Sequence, residues 1–334
     1  MQSKAEIGKF TLDVLSRLIA PGAHVALVDY PHYFNAGDAL IYRGTLSYLR
    51  ELRAHVDYVC SPYNYDSALL RRQVPEGPIL LQGGGNFGDR WPLHQLFREQ
   101  VLTDFPDRMV VQMPQSIDFS DPVSLERARS SYEKHGNVTL LARDRGGFDR
   151  MERDFPACRI EFCPDVAFGV VDLLPVGKAT LDIAMVVRQD VEAASDPADF
   201  DAADLAIERA DWHLGVAGNL GWWSRSIAEA ALFRGSAVKD RIYPSVRRSM
   251  DARAELNISA AVRRLSRGRV VVTDRLHAAV LSVLLDKPVV MVDNVTGKVS
   301  AIHRDYLGAL PDVHIAAGFA EAGPIALELA SKSH

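Results

Sequence analysis

Short apolar runs rich in β-branched residues recur along the first half of the chain, at 24–29, 56–60, 79–82, 109–113, 138–142 and 160–162. Between most of them lie stretches with the apolar spacing of amphipathic helices: 39–53, 67–74, 93–105, 123–135 and 148–155. Strands that read as near-continuous apolar runs are covered on both faces, and their alternation with helices predicts a mainly parallel α/β sheet. A break falls at 172–178, where Leu-Leu-Pro-Val-Gly-Lys reads as a linker. A strand at 181–188 then opens a second unit. The stretch 190–211 is acidic and Ala-rich, with Arg209 its only basic residue, and reads as a loop plus a surface helix. Helices at about 222–233 and 252–265 lead to a strand at 270–272, a helix at 276–286 and a strand at 289–292. The economical architecture is two facing α/β domains, 1–175 and 176–315, with a cleft between them. A terminal helix within 316–334 could pack back on the first domain.

Composition narrows the class. The 334 residues are long for one core and suit two domains. A net charge of −5 provides no overall basic field for nucleic acid. Arg247-Arg248 and Arg263-Arg264 with Arg267 and Arg269 read either as solvated helix faces or as contacts to phosphate or an acidic membrane surface. Three cysteines, an odd count without metal-ligand spacing, indicate neither a disulfide framework nor a zinc site, and fit a reducing cytoplasm. The apolar residues of the N-terminus are interrupted by Lys9, Asp13 and Arg17 and stopped by Pro21-Gly22, so an amphipathic helix is expected there rather than a signal peptide. No segment approaches the roughly 20 apolar residues of a membrane span. The expectation is a soluble cytoplasmic protein, with peripheral association at the inner membrane face left open.

Candidate chemistry gathers in loops that follow strands. In Asn35-Ala36-Gly37-Asp38, Asn35 and Gly37 permit left-handed backbone. Asp38 reads either as a helix N-cap or as a carboxylate aimed into a cleft. In Gly83-Gly84-Gly85-Asn86-Phe87-Gly88-Asp89-Arg90-Trp91, three successive glycines could face an anion with backbone N–H groups or let a substrate approach. The pattern is neither G-x-G-x-x-G nor a Walker loop. Trp91 beside carboxylates suits a sugar, whose ring face stacks on aromatics. Arg188 ends a buried strand, either exposed at the sheet edge or engaged with an anion. Arg275-Leu276-His277 pairs a forked permanent cation with a ring that titrates near neutrality, and Lys298 follows the next strand. Pro164-Asp165 could be a turn or a cleft carboxylate. His32, Trp212, Trp222 and Trp223 are weaker candidates. A serine-hydrolase elbow, a zinc motif and an EF-hand loop are absent from the sequence.

Taken in order, Asn35-x-Gly37-Asp38, Gly83-Gly84-Gly85, Arg143-Asp144, Cys163-Pro164-Asp165, Arg188, Arg275-Leu276-His277-Ala278, Lys287-Pro288-Val289-Val290 and Lys298 resemble the polysaccharide pyruvyl transferase family. The motifs are individually short; their order over most of the chain carries the likeness. One departure is that Gly146-Gly147 stand where family members often have a serine, so the Arg143-Asp144 loop is given no role. The resemblance implies two Rossmann-like domains with mainly parallel sheets in a glycosyltransferase-B-like arrangement, the acceptor on the N-terminal side and the donor on the C-terminal side. It implies phosphoenolpyruvate as donor, a glycan or lipid-linked oligosaccharide as acceptor, a cyclic pyruvate ketal as product, and phosphate released.

On that footing the residues take roles. His277 is the acid that protonates the donor carbon, and Asp38 the base for a sugar hydroxyl, with Asp89 as second choice. Arg188, Arg275, Leu276 and Lys298 bind the donor. Asn35, Gly83, Gly84, Gly85, Asn86, Asp89 and Trp91 bind the acceptor. The scheme needs no metal, and no cofactor beyond the co-substrate. The rival readings are a nucleotide-sugar-dependent glycosyltransferase of similar architecture and a non-catalytic protein that binds a glycan or a phosphometabolite.

Overall fold

The computed structural model describes residues 1–173, 177–188, 195–201, 205–212, 214–235 and 239–332. Its first half runs α1 (Lys4–Leu18), β1 (His24–Val28), α2 (Ala36–Glu51), β2 (His55–Cys60), α3 (Ser67–Gln73), β3 (Ile79–Leu81), β4 (Gly84–Gly88), α4 (Pro92–Asp104), β5 (Val110–Asp118), α5 (Pro122–His135), β6 (Val138–Ala142), α6 (Arg145–Asp154) and β7 (Arg159–Phe162). The second half runs β8 (Leu181–Val186), β9 (Ile207–Ala210), α7 (Gly215–Gly235), α8 (Lys239–Ser266), β10 (Gly268–Thr273), α9 (Leu276–Leu284), β11 (Val289–Val292), α10 (Lys298–Asp305), β12 (Val313–Ala316) and α11 (Phe319–Lys332).

Two Rossmann-like parallel sheets result. The first has the order β2-β1-β3-β5-β6-β7, and the second β9-β8-β10-β11-β12. In both, the chain places its second strand outside the first and its third on the opposite side. That reversal opens a crevice beyond the carboxyl ends of β1 and β3, and of β8 and β10, where open α/β sheets take ligands.

Strand β4 departs from the expected glycine loop. Gly84 and Gly88 have φ of 135° and 150°, outside the range of L side chains. A side chain at Gly88 would collide with the Asp118 carbonyl. Glycine therefore lets this segment run against the last half of β5, pairing Gly84 with Gln115 and Gly88 with Asp118. No alternation of apolar residues announces such a strand. Strand β9 is the second departure, since a loop and surface helix were expected across 190–211. Its sequence Ile-Glu-Arg-Ala is polar because it lies at the sheet edge, bonded only to β8. Part of that stretch, and residues 174–176 of the expected linker, lie outside the described residues.

The strands of the second sheet send alternate side chains to two cores, as a period of two requires. Ile183, Met185, Val270, Val272, Val290 and Val292 face α11 through Phe319, Ala322, Ala326 and Leu329. Val186, Val271, Val289 and Met291 face the other way, into the core that holds α8, α9 and the first sheet. The terminal helix thus closes the outer face of the second sheet; the expectation that it could pack back on the first domain is corrected. Its apolar stripe matches the face that β10 and β11 would otherwise leave open.

The two-domain division is also less clean than the linker suggested. Helices α7 and α8, assigned by position to the second unit, pack on the first. Tyr30 Oη donates to the Met250 carbonyl at 2.7 Å and Tyr42 Oη to Asp251 at 2.6 Å. Phe34 lies against Trp222, with ring centroids 4.4 Å apart. Buried Arg253 joins Glu229 at 2.5 Å and stacks on Tyr30 and Trp222. The basic clusters face carboxylates in place: Arg247 meets Asp251, Arg264 and Arg267 meet Glu208, and Arg269 meets Asp182. No helix among the described residues is long and apolar enough to cross a membrane.

Phe319→Ala should cost about 3–5 kcal/mol by removing a buried ring between α11 and the second sheet. A urea titration at neutral pH checks this, and a loss below 1 kcal/mol would contradict the role given to α11.

Candidate active site

A cavity of about 530 Å³ lies where the carboxyl edges of the two sheets meet. The loop after β1 and the start of α2 supply Tyr33, Phe34, Asn35 and Asp38, β4 supplies Gly85 and Asn86, and the entry to α4 supplies Trp91 and His94. The second sheet contributes Arg188 after β8, Asp211 and Trp212 after β9, Arg275, Leu276 and His277 after β10, and Asn294 and Lys298 after β11. Arg143, after β6, completes the wall. Four permanent cations against two carboxylates line a cavity in a chain whose own net charge is −5. Low-dielectric walls of one sign focus field, so the cavity attracts anions that the rest of the surface repels.

The deepest element of the site is Asp165, 1% exposed. Neighbouring strands β5, β6 and β7 bring Ser116, Arg143 and Asp165 side by side. Arg143 Nη1 donates to Asp165 Oδ2 at 2.9 Å, and its Nε donates to Ser116 Oγ at 2.8 Å. From the other sheet, His277 Nε2 reaches the same Asp165 Oδ2 at 3.1 Å. The Ala167 N–H donates to Oδ1 at 2.9 Å. Burial pushes the Asp165 carboxyl up, but the His277 and Arg143 charges and these donors outweigh it and hold it far below the usual carboxylate range. With Nε2–H committed to Asp165, the other ring nitrogen, Nδ1, faces the first turn of α2 at Gly37. Asp144 borders this group: its Oδ2 accepts from Ser116 Oγ at 3.1 Å, while its Oδ1 caps α6 by accepting from Gly147 N at 2.7 Å. A side chain at 147 would crowd that carboxylate, which accounts for glycine at this position.

His277 also explains Gly37. The glycine lies inside α2 and has no left-handed backbone, contrary to the expectation. A methyl group there would sit 2.5 Å from His277 Nδ1, so glycine is what lets the imidazole lie against the first turn of α2. Asn35, not Asp38, caps that helix, its Oδ1 accepting from Gly37 N at 2.8 Å. A cap of this kind is worth about 1 kcal/mol and releases Asp38 from that task. Asp38 Oδ2 accepts from Asn35 Nδ2 at 2.7 Å and from Tyr33 Oη at 2.9 Å. Burial, and then the Asp38 charge, raise the Tyr33 hydroxyl well above its ordinary range, so it stays a donor.

The three glycines bring backbone close to other groups. A side chain at Gly84 would press on Asp38 Oδ1 at 3.0 Å, and one at Gly85 on Arg143 Nη2 at 3.2 Å and Lys298 Nζ at 3.5 Å. Lys298 Nζ donates to the Gly85 carbonyl at 3.5 Å, bridging the sheets. Helix α10, which carries Lys298, is held by Asp305 Oδ2, which accepts from Arg145 N at 2.6 Å. Gly83 and Gly84 lie behind the lining rather than in it. Asp89 is also not among the lining residues. Its carboxylate accepts from Ser120 N, Ser120 Oγ and Asp121 N. Those donors, against the cost of burial, hold it below the usual range. It organises a turn, and its place as second choice of base is corrected.

Arg188 and Arg275 do line the cavity. Arg188 N donates to Asp274 Oδ1 at 2.9 Å, fixing the end of β8 against β10. Arg275 forks onto Asp211, Nε to Oδ1 at 2.5 Å and Nη2 to Oδ2 at 2.6 Å. Asp211 thus occupies part of the array expected to meet a ligand. Tyr33, His94, Asp211 and Asn294 were not singled out from sequence. Asp211 follows a strand too polar to recognise, and His94 stands in a helix with no motif around it. Trp91, 48% exposed, stands at the rim.

The fold and this wall define a class: a doubly wound α/β protein whose two sheets share one cation-rich cleft with a carboxylate-held histidine. The family model for polysaccharide pyruvyl transferase matches residues 35–294. The chain is 27% identical over 307 residues to the EpsO protein of Bacillus subtilis (strain 168), provisionally named a pyruvyl transferase, with 92% of each chain covered. It is 29% identical over 301 residues to pyruvyl transferase 1 of Schizosaccharomyces pombe (strain 972), covering 85% of this chain and 69% of that one. The crystal structure of an uncharacterised protein of Klebsiella pneumoniae matches the fold with a TM-score of 0.55 at 19% identity, covering 92% of this chain and 98% of that one. The chain belongs to the polysaccharide pyruvyl transferase family, and is thereby a transferase of pyruvyl groups to glycans.

Asp165→Asn should lower kcat by about 10²-fold and stability by about 3–5 kcal/mol at pH 7, since it leaves Arg143 buried without its anion. Because folding depresses the Asp165 pKa, its stabilisation is complete above the unfolded value near 4 and is lost as pH falls below it. The gap between the two proteins in urea titrations should therefore narrow in acid, and a gap that widens there would refute the assignment. Gly37→Ala should reduce kcat by about 10²-fold and lower the melting temperature, because the ring it displaces also compensates the buried Asp165 carboxylate. A parental rate would show that His277 need not lie where it does.

Proposed function

We propose that the protein transfers the pyruvyl group of phosphoenolpyruvate to two hydroxyls of one sugar, closing a cyclic pyruvate ketal and releasing phosphate. The observation that carries this reading is the meeting of Arg143, Arg188, Arg275 and Lys298 around a histidine held by a buried carboxylate. A small donor with both carboxylate and phosphate suits that density of cations. The two sheets are read as a glycosyltransferase-B-like pair, the sugar bound chiefly along the first and the donor chiefly along the second. A lipid-linked acceptor would place the protein at the inner face of the membrane.

In this scheme His277 gives the proton on Nδ1 to C3 of the donor, while Asp165 stabilises the imidazolium beforehand and keeps the ring oriented. C2 becomes electrophilic, and a sugar oxygen attacks it as Asp38 takes the hydroxyl proton. Tyr33 and Asn35 hold Asp38 Oδ2, leaving Oδ1, on the Gly84 side, for the substrate. Arg143 and Lys298, adjacent at Gly85, and Arg188 neutralise the departing phosphate. Arg275 exchanges Asp211 for the donor. Leu276 and Trp91 provide apolar surface, and Asn86 offers an amide to the sugar.

The test follows phosphate release and product mass with phosphoenolpyruvate and a panel of galactosides, glucosides and mannosides, beside labelled nucleotide sugars. Phosphate release with a mass gain on one acceptor is expected, reduced about 10²- to 10⁴-fold by His277→Ala. Transfer of label from a nucleotide sugar, or an unaltered rate in His277→Ala, would overturn the proposal.

A further inference from the structure

The cavity holds a second histidine with the same mode of support. His94 stands in the first turn of α4, one turn before Arg98, so both project from one face of the helix. Both meet the carboxylate of Asp29, at the carboxyl end of β1. His94 Nδ1 lies 2.6 Å from Asp29 Oδ1, and Arg98 Nη2 lies 2.6 Å from Asp29 Oδ2. Asp29 is 1% exposed and Arg98 fully buried. Asp29 also has φ of 70°, one of four non-glycine residues at positive φ among the described residues. Strain of this kind persists where surrounding structure over-determines it, and it clusters at functional sites. Arg98 in turn donates to Asn86 Oδ1 at 2.6 Å, tying the arrangement to β4.

A core histidine has both nitrogens satisfied or sealed away from water. His94 instead lines the cavity, and among the described residues its Nε2 has no hydrogen-bond partner. Its ring lies edge-on to Tyr33, centroids 5.7 Å apart, and Tyr33 Oη holds Asp38. Two proton-accepting groups therefore flank one tyrosine on the acceptor wall.

We infer that His94, oriented by Asp29, is the second proton acceptor of the transferase, taking the proton of the second sugar hydroxyl as the ketal ring closes. This rests on the ketal-forming reading above, and its chemistry requires such a group. Two sugar O–H bonds break, two C–O bonds form at C2, and the bond from C2 to the phosphate oxygen breaks. One proton is added to C3, and the phosphate leaves as hydrogen phosphate. The two hydroxyl protons balance the account: one replaces the proton given by His277, the other departs with phosphate. Asp38 serves the first hydroxyl, and His94 Nε2 serves the second. Asp29 is a positioning residue, presenting Nε2 by binding Nδ1–H and stabilising the imidazolium that forms.

The experiment uses the full chain with an acceptor on which the parent protein is active. His94→Ala and His94→Gln should each lower kcat by about 10²-fold or more, with little change in the KM for phosphoenolpyruvate. Added imidazole should restore part of the rate to His94→Ala, and His94→Gln, which keeps side-chain volume, covers the case in which the smaller variant fails to fold. Asp29→Asn should lower kcat and move the acid limb of its pH profile to lower pH, since the imidazolium loses its carboxylate. A purely structural role moves neither the limb nor the imidazole response. Parental kcat in both His94 variants, or a lowered rate with no imidazole rescue and an unmoved limb in Asp29→Asn, would overturn the inference alone. A parent protein inactive on every acceptor would instead overturn the ketal-forming reading, and this inference with it.

Discussion

Asp165 is taken almost wholly out of water, which costs several kcal/mol for an isolated carboxylate, and the site is organised around offsetting that cost. The compensation comes from both sheets at once: Arg143 from the strand beside it, a backbone N–H from its own turn, and His277 from the helix that follows β10. A buried anion held by Arg143 and His277 does not tolerate the loss of either, so the two halves are coupled at this point. Gly37 completes the arrangement, since only a bare backbone on α2 leaves room for the ring. This interaction thus orients the histidine and is one of the contacts that hold the two sheets together at the cavity.

The electrostatics follow from topology. Parallel strands end together, so the residues after β6 of the first sheet and after β8, β10 and β11 of the second meet where the two carboxyl edges converge, and three arginines and a lysine stand among them. Elsewhere many arginines are matched to carboxylates, including the buried Arg253–Glu229 pair that joins α8 to α7. Helices α7 and α8 carry the covalent path back across the boundary between the sheets. One face of the second sheet thereby shares a core with the first sheet. Asp211 fits the same logic, supplying Arg275 with an internal anion.

Much of this was legible in the chain. Continuous Val, Ile and Leu runs announced the buried parallel strands, and the polar loops after them supplied Asn35, Asp38, Gly85, Asn86, Trp91, Arg188, Arg275, Leu276, His277 and Lys298, all of which line the cavity. What escaped has physical reasons. Strand β4 exists because glycines let it press against β5, and strand β9 is polar because one side of it is unpaired; neither leaves an apolar signature. Asp89 resembled a site carboxylate by its neighbours, yet its lone pairs are spent on a turn.

By itself the sequence determined the alternation of strand and helix, hence the parallel sheets, and the residue types standing at their carboxyl ends. Those are local properties, written in periodicity and in turn chemistry. Only the tertiary structure decided which of these residues meet. Asp165 and His277 are separated by more than a hundred residues, as are Gly37 and His277, and no pattern along the chain relates them. His94 and Asp29 are likewise brought together by a helix laid over a strand end. The reason is that burial makes each charge depend on a partner chosen by packing, and packing is a property of the whole chain.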